Sequence, residues 1–259
     1  MPACKVSRVW LTPAMLTCQG EGHVHSAFNH VVNLVFAGRM LTLADEPLPD
    51  MPDTMYLPAA GLRLLRTVRE AERVTWHRGT LTLGTVQLQF PWPPQVLTPY
   101  QPEPWTRAYA RRLLDACETV TGPSGLDRLP PVWLARVDNG LRAYVRALLI
   151  GEDAQEAITP ILGLGVGATP SADDAILAVT ALLSFSKIDF PSRLLEMTSA
   201  VSAKYLCCAK EGYYAEPLTR LLAQPTEENA RALAACGGTS GRDMLHGLRV
   251  ACRQLMEEE

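Results

Sequence analysis

The first hundred residues carry the hydrophobic pattern of short β-strands joined by turns. Val31–Phe36 is a β-branched and aromatic run that ends at Gly38, as a strand does. Residues 80–90 alternate apolar and polar positions with a period of two and are interrupted by Gly84, which predicts a hairpin or a bulged strand. Residues 60–71 place several leucines at helical spacing, which predicts a short amphipathic helix between the strands.

Beyond residue 105 the apolar positions follow a helical period. Residues 175–185 are apolar on nearly all sides, which predicts a central buried helix. Further helices are expected over residues 105–118, 137–149, 153–162, 193–210, 217–222, 227–235 and 243–256. This half of the chain is therefore predicted to be mostly α-helical.

A proline-rich stretch separates the two patterns. Residues 90–104 contain six prolines, which remove backbone donors from a sheet and stiffen the chain into a linker. We therefore predict a β-rich N-terminal domain over residues 1–100 and a helical domain over residues 101–259. The expected fold class is α+β, with a β-rich N-terminal region followed by a mostly α-helical C-terminal domain.

Composition and charge narrow the classes of function. Hydrophobic residues make up 47% of the chain and the net charge is -3, so a large core is expected and a basic surface for nucleic acid is not. No run of about 18 apolar residues could span a bilayer, and the N-terminus lacks the apolar stretch of a signal peptide. Seven cysteines without a C-x-x-C pair argue against zinc and against a disulfide framework. We expect a cytoplasmic protein that binds neither nucleic acid nor membrane.

The strongest local motif is the first glycine loop, residues 163–174, with the sequence GLGVGATPSADD. Its alternate glycines allow a tight turn with converging amides just before the buried helix, and such a helix start binds anions. Thr169 is one candidate N-cap, and Ser171 with Asp174 is another. Asp173 and Asp174 could hold a metal ion, accept N–H groups of a substrate, or act as a base. The alternative is an ordinary helix cap, because these residue types favour any helix start.

The second glycine loop, residues 237–248, repeats this pattern as GGTSGRDMLHGL. Thr239 and Ser240 precede Asp243, which stands three residues after the serine as Asp174 does after Ser171. Arg242 could bind a carboxylate or phosphate through two parallel hydrogen bonds. Two such loops would suit a reaction between two small anions. The alternative is again a simple cap with a solvent-facing arginine.

Three histidines lie near the N-terminus, His23, His25 and His30, at a spacing that is not tied to a known metal site. We interpret them as hydrogen-bonded scaffold. Ser26 and Asn33 could line a pocket beside them.

These motifs resemble a bacterial family represented by the third, smaller subunit of oxamate carbamoyltransferase. The first glycine loop resembles the family's G-x-G-x-G-L-T-P-S-G-D-D. The other matching positions are His25-Ser26-x-Phe28 with Asn33, Thr198-x-x-x-Ser202 with Glu211-Gly212, and Gly238-Thr239-Ser240-Gly241-x-Asp243. Ala168 and Ala172 depart from the family's leucine and glycine. If that glycine lets backbone approach a ligand, Ala172 would alter substrate fit.

The resemblance implies carbamoyl transfer between oxalurate and phosphate on one side and oxamate and carbamoyl phosphate on the other, in anaerobic allantoin breakdown. It also implies other subunits as partners in a hetero-oligomeric complex. Our hypothesis is that Asp173 and Asp174 are catalytic residues and that the substrate is a small anion. The predicted substrate-binding residues are Gly165, Gly167, Thr169, Ser171, Ser202, Thr239, Ser240, Arg242, Asp243, His25, Ser26 and Asn33. No cofactor is assigned, and Mg²⁺ is the one candidate. The alternative is a non-catalytic assembly or regulatory subunit of an acyl-CoA-synthetase-like complex.

Overall fold

A computed structural model describes residues 3–58, 61, 69–183 and 189–257. The chain divides into two compact units, Met1–Thr98 and Pro99–Glu259. The first unit is built on β-sheet and the second is helical, which confirms the predicted α+β class.

The described residues of the first unit form one mixed sheet of nine strands in the order β1-β9-β8-β7-β3-β4-β5-β6-β2. The strands β1 and β9 pair in parallel, as do β5 and β6, and the other neighbours are antiparallel. The strands are β1 (Ala3–Lys5), β2 (Arg8–Trp10), β3 (Gly20–Ala27), β4 (Val31–Phe36), β5 (Arg39–Asp45), β6 (Thr54–Leu57), β7 (Arg73–His77), β8 (Thr80–Leu83) and β9 (Val86–Gln89), with a short helix α1 (Pro13–Leu16) after β2.

The core of the first unit lies on the apolar face of this sheet. Trp76 is nearly fully buried there and meets the ring of Phe36 edge-on, with the ring centroids 5.7 Å apart. The predicted strand at Val31–Phe36 is confirmed as β4. The alternating run at 80–90 is a hairpin, β8 and β9, and not a bulged strand. The predicted helix over 60–71 lies mostly outside the described residues.

The second unit packs its helices around one buried helix. The helices are α2 (Arg107–Glu118), α3 (Pro131–Ile150), α4 (Gln155–Ile158), α5 (Ser171–Leu183), α6 (Ser192–Leu195), α7 (Ala200–Lys210), α8 (Glu216–Ala223), α9 (Glu227–Ala234) and α10 (Ser240–Glu257), with a 3₁₀ turn at Leu126–Arg128. Every residue of α5 is buried, which confirms the predicted central helix.

Three predicted helices differ from those observed. The helix expected over 137–149 begins earlier, at Pro131, because proline is favoured in the first turn of a helix. The helix expected over 153–162 is only Gln155–Ile158. The helix expected over 193–210 is two helices, because Ser199 Oγ accepts from the amide of Ser202 at 3.0 Å and starts a new helix there.

The helices α5 and α10 cross at very short range. A Cβ atom added to Gly247 would stand 2.5 Å from the carbonyl oxygen of Ala175, so backbone packs on backbone at this crossing. The crossing lies about one turn beyond the start of α5 and about two turns beyond the start of α10. It therefore brings the first turns of α5 and α10, and the two glycine loops before them, close together.

Candidate functional site

The two glycine loops meet through their hydroxyl groups. Thr169 Oγ1 lies 3.0 Å from Ser240 Oγ and donates to Asp174 Oδ2 at 3.0 Å. Asp174 also interacts with the hydroxyl of Ser240. The result is a connected set of hydrogen bonds that joins Ser240, Thr169 and Asp174.

Asp174 is the buried end of this set of hydrogen bonds. Its side chain is almost completely enclosed, with the residue 4% exposed. Burial raises the pKa of Asp174 well above its usual value, the hydroxyls of Ser240 and Thr169 lower it, and the charges of Asp243 and Asp173 raise it again. Asp174 therefore holds a proton more strongly than an ordinary aspartate does.

Asp173 has a different environment, although it is the next residue. Its Oδ1 accepts the amide of Gly163 at 2.7 Å, and its Oδ2 accepts the hydroxyls of Thr198 and of Ser202, the latter at 2.6 Å. Burial raises its pKa and these three bonds lower it. Asp173 ties the start of the first glycine loop to the loop before α7 and to the first turn of α7.

The glycine loops present unpaired backbone donors. Gly165 and Gly167 have φ values of +118° and +107°, and a Cβ at Gly165 would stand 2.4 Å from the amide nitrogen of Ser171. Within the described residues, the amides of Gly165 and Gly167 donate no hydrogen bond, and the same holds for Gly237 and Gly238. Residues 166–168 and 237–238 are exposed. A ligand in solvent can therefore reach Gly167, Gly237 and Gly238, whereas Gly165 is half-buried.

Arg242 adds a positive charge to the second glycine loop. The residue is partly buried, and its Nε is enclosed without a hydrogen-bond partner. No carboxylate of the described residues forms an ion pair with its guanidinium group. An arginine that is partly desolvated and lacks a counter-charge favours a carboxylate or phosphate ligand.

A third segment contacts both loops and was missed by the sequence analysis. The Ser124 segment, residues 122–127, has the sequence GPSGLD and contains the same Ser-x-x-Asp spacing. Ser124 and Asp127 bond to each other's amides at 2.6 and 3.2 Å. The amide of Leu126 donates to Asp243 Oδ1 at 3.0 Å. The repeated spacing after a glycine was the one available signal for this segment.

Asp243 and Ser171 face this segment from the two loops. Both residues are 0% exposed, and Asp243 Oδ2 and Ser171 Oγ have no hydrogen-bond partner of regular geometry in the described chain. Burial raises the pKa of Asp243, while the amide of Leu126 and the nearby hydroxyls of Thr239 and Ser171 lower it. Ser171 therefore lies near the aspartate of the other loop, and its predicted capping of its own helix is replaced by this contact.

Ala172 does not face the exposed part of the loop. It is 0% exposed, belongs to the apolar core of the second unit, and donates its amide to the carbonyl of Leu164 at 2.9 Å. The methyl group that replaces the family's glycine therefore points into the core. It leaves the exposed amides of the first glycine loop unobstructed.

The N-terminal candidates belong to the first unit. His25 Nδ1 lies 3.1 Å from Ser26 Oγ, which accepts from Asn33 Nδ2 at 3.0 Å, and Thr42 donates to Asn33 Oδ1 at 2.8 Å. These polar groups connect the neighbouring strands β3, β4 and β5. Their role in binding a substrate remains a prediction.

The described residues contain neither a metal-binding cluster nor a membrane-spanning helix. No group of three or more His, Cys, Asp or Glu side chains is arranged to hold a metal ion in the part of the chain that the structure describes. Across the same residues, no helix is both long enough and apolar enough to cross a membrane.

Two family models match this sequence. Residues 161–252, which include both glycine loops, match the family model described as oxamate carbamoyltransferase subunit AllH. Residues 4–92 match the model of the AllH family N-terminal domain. The Ser124 segment falls outside both matches. No curated protein and no solved structure gives a significant match. The two models together cover most of the sequence, and the chain belongs to the AllH family.

Proposed function

We propose that this chain acts in an oxamate carbamoyltransferase as the subunit that binds the transferred group and its phosphate, at the two glycine loops. The observation that carries this proposal is Arg242, which belongs to the second glycine loop and whose guanidinium group lacks a counter-charge among the described residues. The unpaired amides of Gly165 and Gly167 supply further donors for the same anion. The all-free cysteines agree with a reducing cytoplasm as its location.

The chemistry of carbamoyl transfer fits this set of donors. The amide nitrogen of oxamate attacks the carbonyl carbon of carbamoyl phosphate, the bond from that carbon to the phosphate oxygen breaks, and the nitrogen loses a proton. Negative charge develops first on the carbonyl oxygen and then on the leaving phosphate. Fixed N–H donors and Arg242 stabilise that charge without reorganising.

Asp174 is proposed as the proton acceptor for this step. The proton from the attacking nitrogen passes to Ser240, from Ser240 to Thr169, and from Thr169 to Asp174, along the hydrogen bonds already formed. The raised pKa of Asp174 makes it a stronger base than an exposed aspartate once it is ionised. Asp173, with both oxygens engaged by the protein, serves as a positioning residue.

The test is Arg242→Gln in the assembled enzyme, with carbamoyl transfer to oxamate as the readout. The expected result is a KM for carbamoyl phosphate about tenfold higher or more, because a charged hydrogen bond to the anion is lost. Arg253→Gln is the matched control, since Arg253 lies on the same helix, is exposed, and pairs with Glu118. Equal kinetics for the wild type and Arg242→Gln would refute the assignment.

A non-catalytic assembly subunit is the second candidate. Asp173 favours it, because its hydrogen bonds to Gly163, Thr198 and Ser202 are those of a residue that maintains a fold. Thermal shift of the chain with carbamoyl phosphate, oxamate, phosphate and Mg²⁺ separates the two functions. A ligand that binds the folded state raises the melting temperature, and an unchanged melting temperature with all four favours assembly alone.

A further inference from the structure

Gly125 of the Ser124 segment packs against side chains from both glycine loops. A Cβ atom at this position would stand 2.1 Å from Ser171 Oγ, 2.8 Å from Asp243 Oδ2 and 2.9 Å from Thr239 Oγ1. Atoms at such distances overlap, so these three oxygens fit only against a residue without a side chain. The backbone of Gly125 therefore fixes how far the first turns of α5 and α10 stand from each other.

Gly122 of the same segment packs against the arginine of the second loop. A Cβ atom at Gly122 would stand 3.4 Å from Nε of Arg242 and 3.9 Å from its Cζ, so the guanidinium group lies over the Cα atom. Gly122 also has φ +114°, a conformation that other residues rarely adopt. The segment therefore determines where the charge of Arg242 is held.

Hydrogen bonds keep the segment in place. Ser124 and Asp127 close its turn by bonding to each other's amides, and Leu126 binds Asp243. Just before it, Arg249 of α10 donates through Nη2 to the carbonyls of Cys117 and Val120, at 2.6 and 2.9 Å. Leu126 thus ties the segment itself to α10, the helix that carries Arg242, and Arg249 ties the residues just before the segment to the same helix.

We propose that the Ser124 segment is a third part of the anion site, in which Gly125 positions the two glycine loops and Gly122 positions the guanidinium group of Arg242. The inference rests on the proposed function of the loops. It assigns positioning roles to two residues that neither loop contains. Asp243 Oδ2 and Ser171 Oγ support it, because both residues are fully buried and both atoms lie within 3 Å of a Cβ at Gly125, so the packing has no room for a side chain there.

The test compares phosphate binding by four glycine-to-alanine variants, measured by calorimetry on the full chain and on its complex with the other subunits. Gly122→Ala and Gly125→Ala are expected to bind inorganic phosphate about tenfold more weakly or worse. Gly125→Ala forces the side chains of both loops apart, and Gly122→Ala strains the backbone at φ +114° against which Arg242 packs. Gly122 is exposed and its contact with Arg242 is mild, so this variant decides the matter if Gly125→Ala fails to fold.

Two variants serve as matched controls. Gly20→Ala introduces a side chain at φ +124° with no atom within 4 Å, so it carries backbone strain comparable to Gly122→Ala on a strand of the first unit. Gly140→Ala places a Cβ 2.8 Å from a carbon of Ile161. It therefore introduces a steric overlap in the core, as Gly125→Ala does at the site. Both are expected to lose stability and to keep the phosphate affinity of the wild type.

The outcomes separate this inference from the proposed function. Weakened phosphate binding in the two site variants, with unchanged binding in the two controls, supports it. Wild-type affinity in a folded Gly122→Ala overturns it and leaves the anion site of the glycine loops standing. Absence of phosphate binding by the wild type, alone and in the complex, overturns both.

Discussion

Thr169 Oγ1 and Ser240 Oγ lie 3.0 Å apart although 71 positions separate them in the sequence. Thr169 lies two residues before α5 and Ser240 is the first residue of α10, and each is followed by a buried aspartate. The contact joins two loops that share a glycine and Ser-x-x-Asp pattern into one polar cluster, and each loop has exposed glycine-containing residues, 166–168 and 237–238. Four predictions test what this cluster does.

The first prediction concerns turnover. Asp174→Asn should abolish carbamoyl transfer in the assembled enzyme, because an asparagine cannot accept the proton delivered through Thr169. The fold should persist, since the amide oxygen can still accept the hydroxyl of Thr169. Rates are measured with carbamoyl phosphate and oxamate, and circular dichroism reports the fold. A variant that turns over at the wild-type rate would contradict the proton path.

The second prediction concerns the pH dependence of stability. The folded chain holds the proton of Asp174 at pH values where the unfolded chain has released it, because burial raises the pKa well above 3.8. The free energy of unfolding should therefore fall as the pH rises above 3.8, the ordinary pKa that Asp174 has in the unfolded chain. In Asp174→Asn the fall should be shallower, although Asp173 and Asp243 still contribute in the same direction.

Denaturant unfolding at a series of pH values measures this dependence. Asp115→Asn is the matched control, because Asp115 is an exposed carboxylate on α2. It should reproduce the wild-type slope. Identical slopes for Asp174→Asn and the wild type would show that Asp174 titrates alike in the folded and unfolded chains.

The third prediction concerns the three hydrogen bonds that Asp173 accepts. Asp173→Ala leaves the amide of Gly163 and the hydroxyls of Thr198 and Ser202 without their acceptor. We expect a loss of about 3 kcal/mol in the free energy of unfolding, since each unsatisfied buried donor costs about 1–3 kcal/mol and the hydroxyls can partly relax. Ser202→Ala removes one bond and should cost about 1 kcal/mol. If Asp173→Ala loses no more stability than Ser202→Ala, Asp173 does not stabilise the fold through all three hydrogen bonds.

The fourth prediction concerns the contact of Gly125 with Ser171. Gly125→Ala should lower the free energy of unfolding by about 1–3 kcal/mol through overpacking. The loss should be smaller in a Ser171→Ala background, because the nearest atom, Ser171 Oγ at 2.1 Å, is then absent. A double-mutant cycle by denaturant unfolding measures the coupling. Additive losses would show that Gly125 does not press on this hydroxyl.

The sequence was sufficient to predict the elements that carry strong patterns. The apolar run of α5 and the glycines at 165 and 167 marked a buried helix and the loop before it. The short strands β1, β2 and β6 have three or four residues, too few for a period to be visible, and their pairing depends on distant partners. The order of the strands in the sheet could therefore not be predicted from the sequence.

The different roles of Asp173 and Asp174 were also hidden from sequence reasoning. Successive residues of a helix point about 100° apart, so neighbouring aspartates face different surroundings. One meets the loop before α7, and the other meets α10. The Ser124 segment was missed for another reason: its helical part is three residues long and has no apolar period.

The backbone contact between Gly247 and Ala175 has a consequence for how this site can change. Because no side chain lies between α5 and α10 at their crossing, backbone contact fixes the distance between the two helices there. The gap between their first turns cannot widen by rotating a side chain. A member of the family that accommodates a larger substrate would have to lengthen or reshape the exposed residues 166–168 and 237–238, while position 247 stays a glycine.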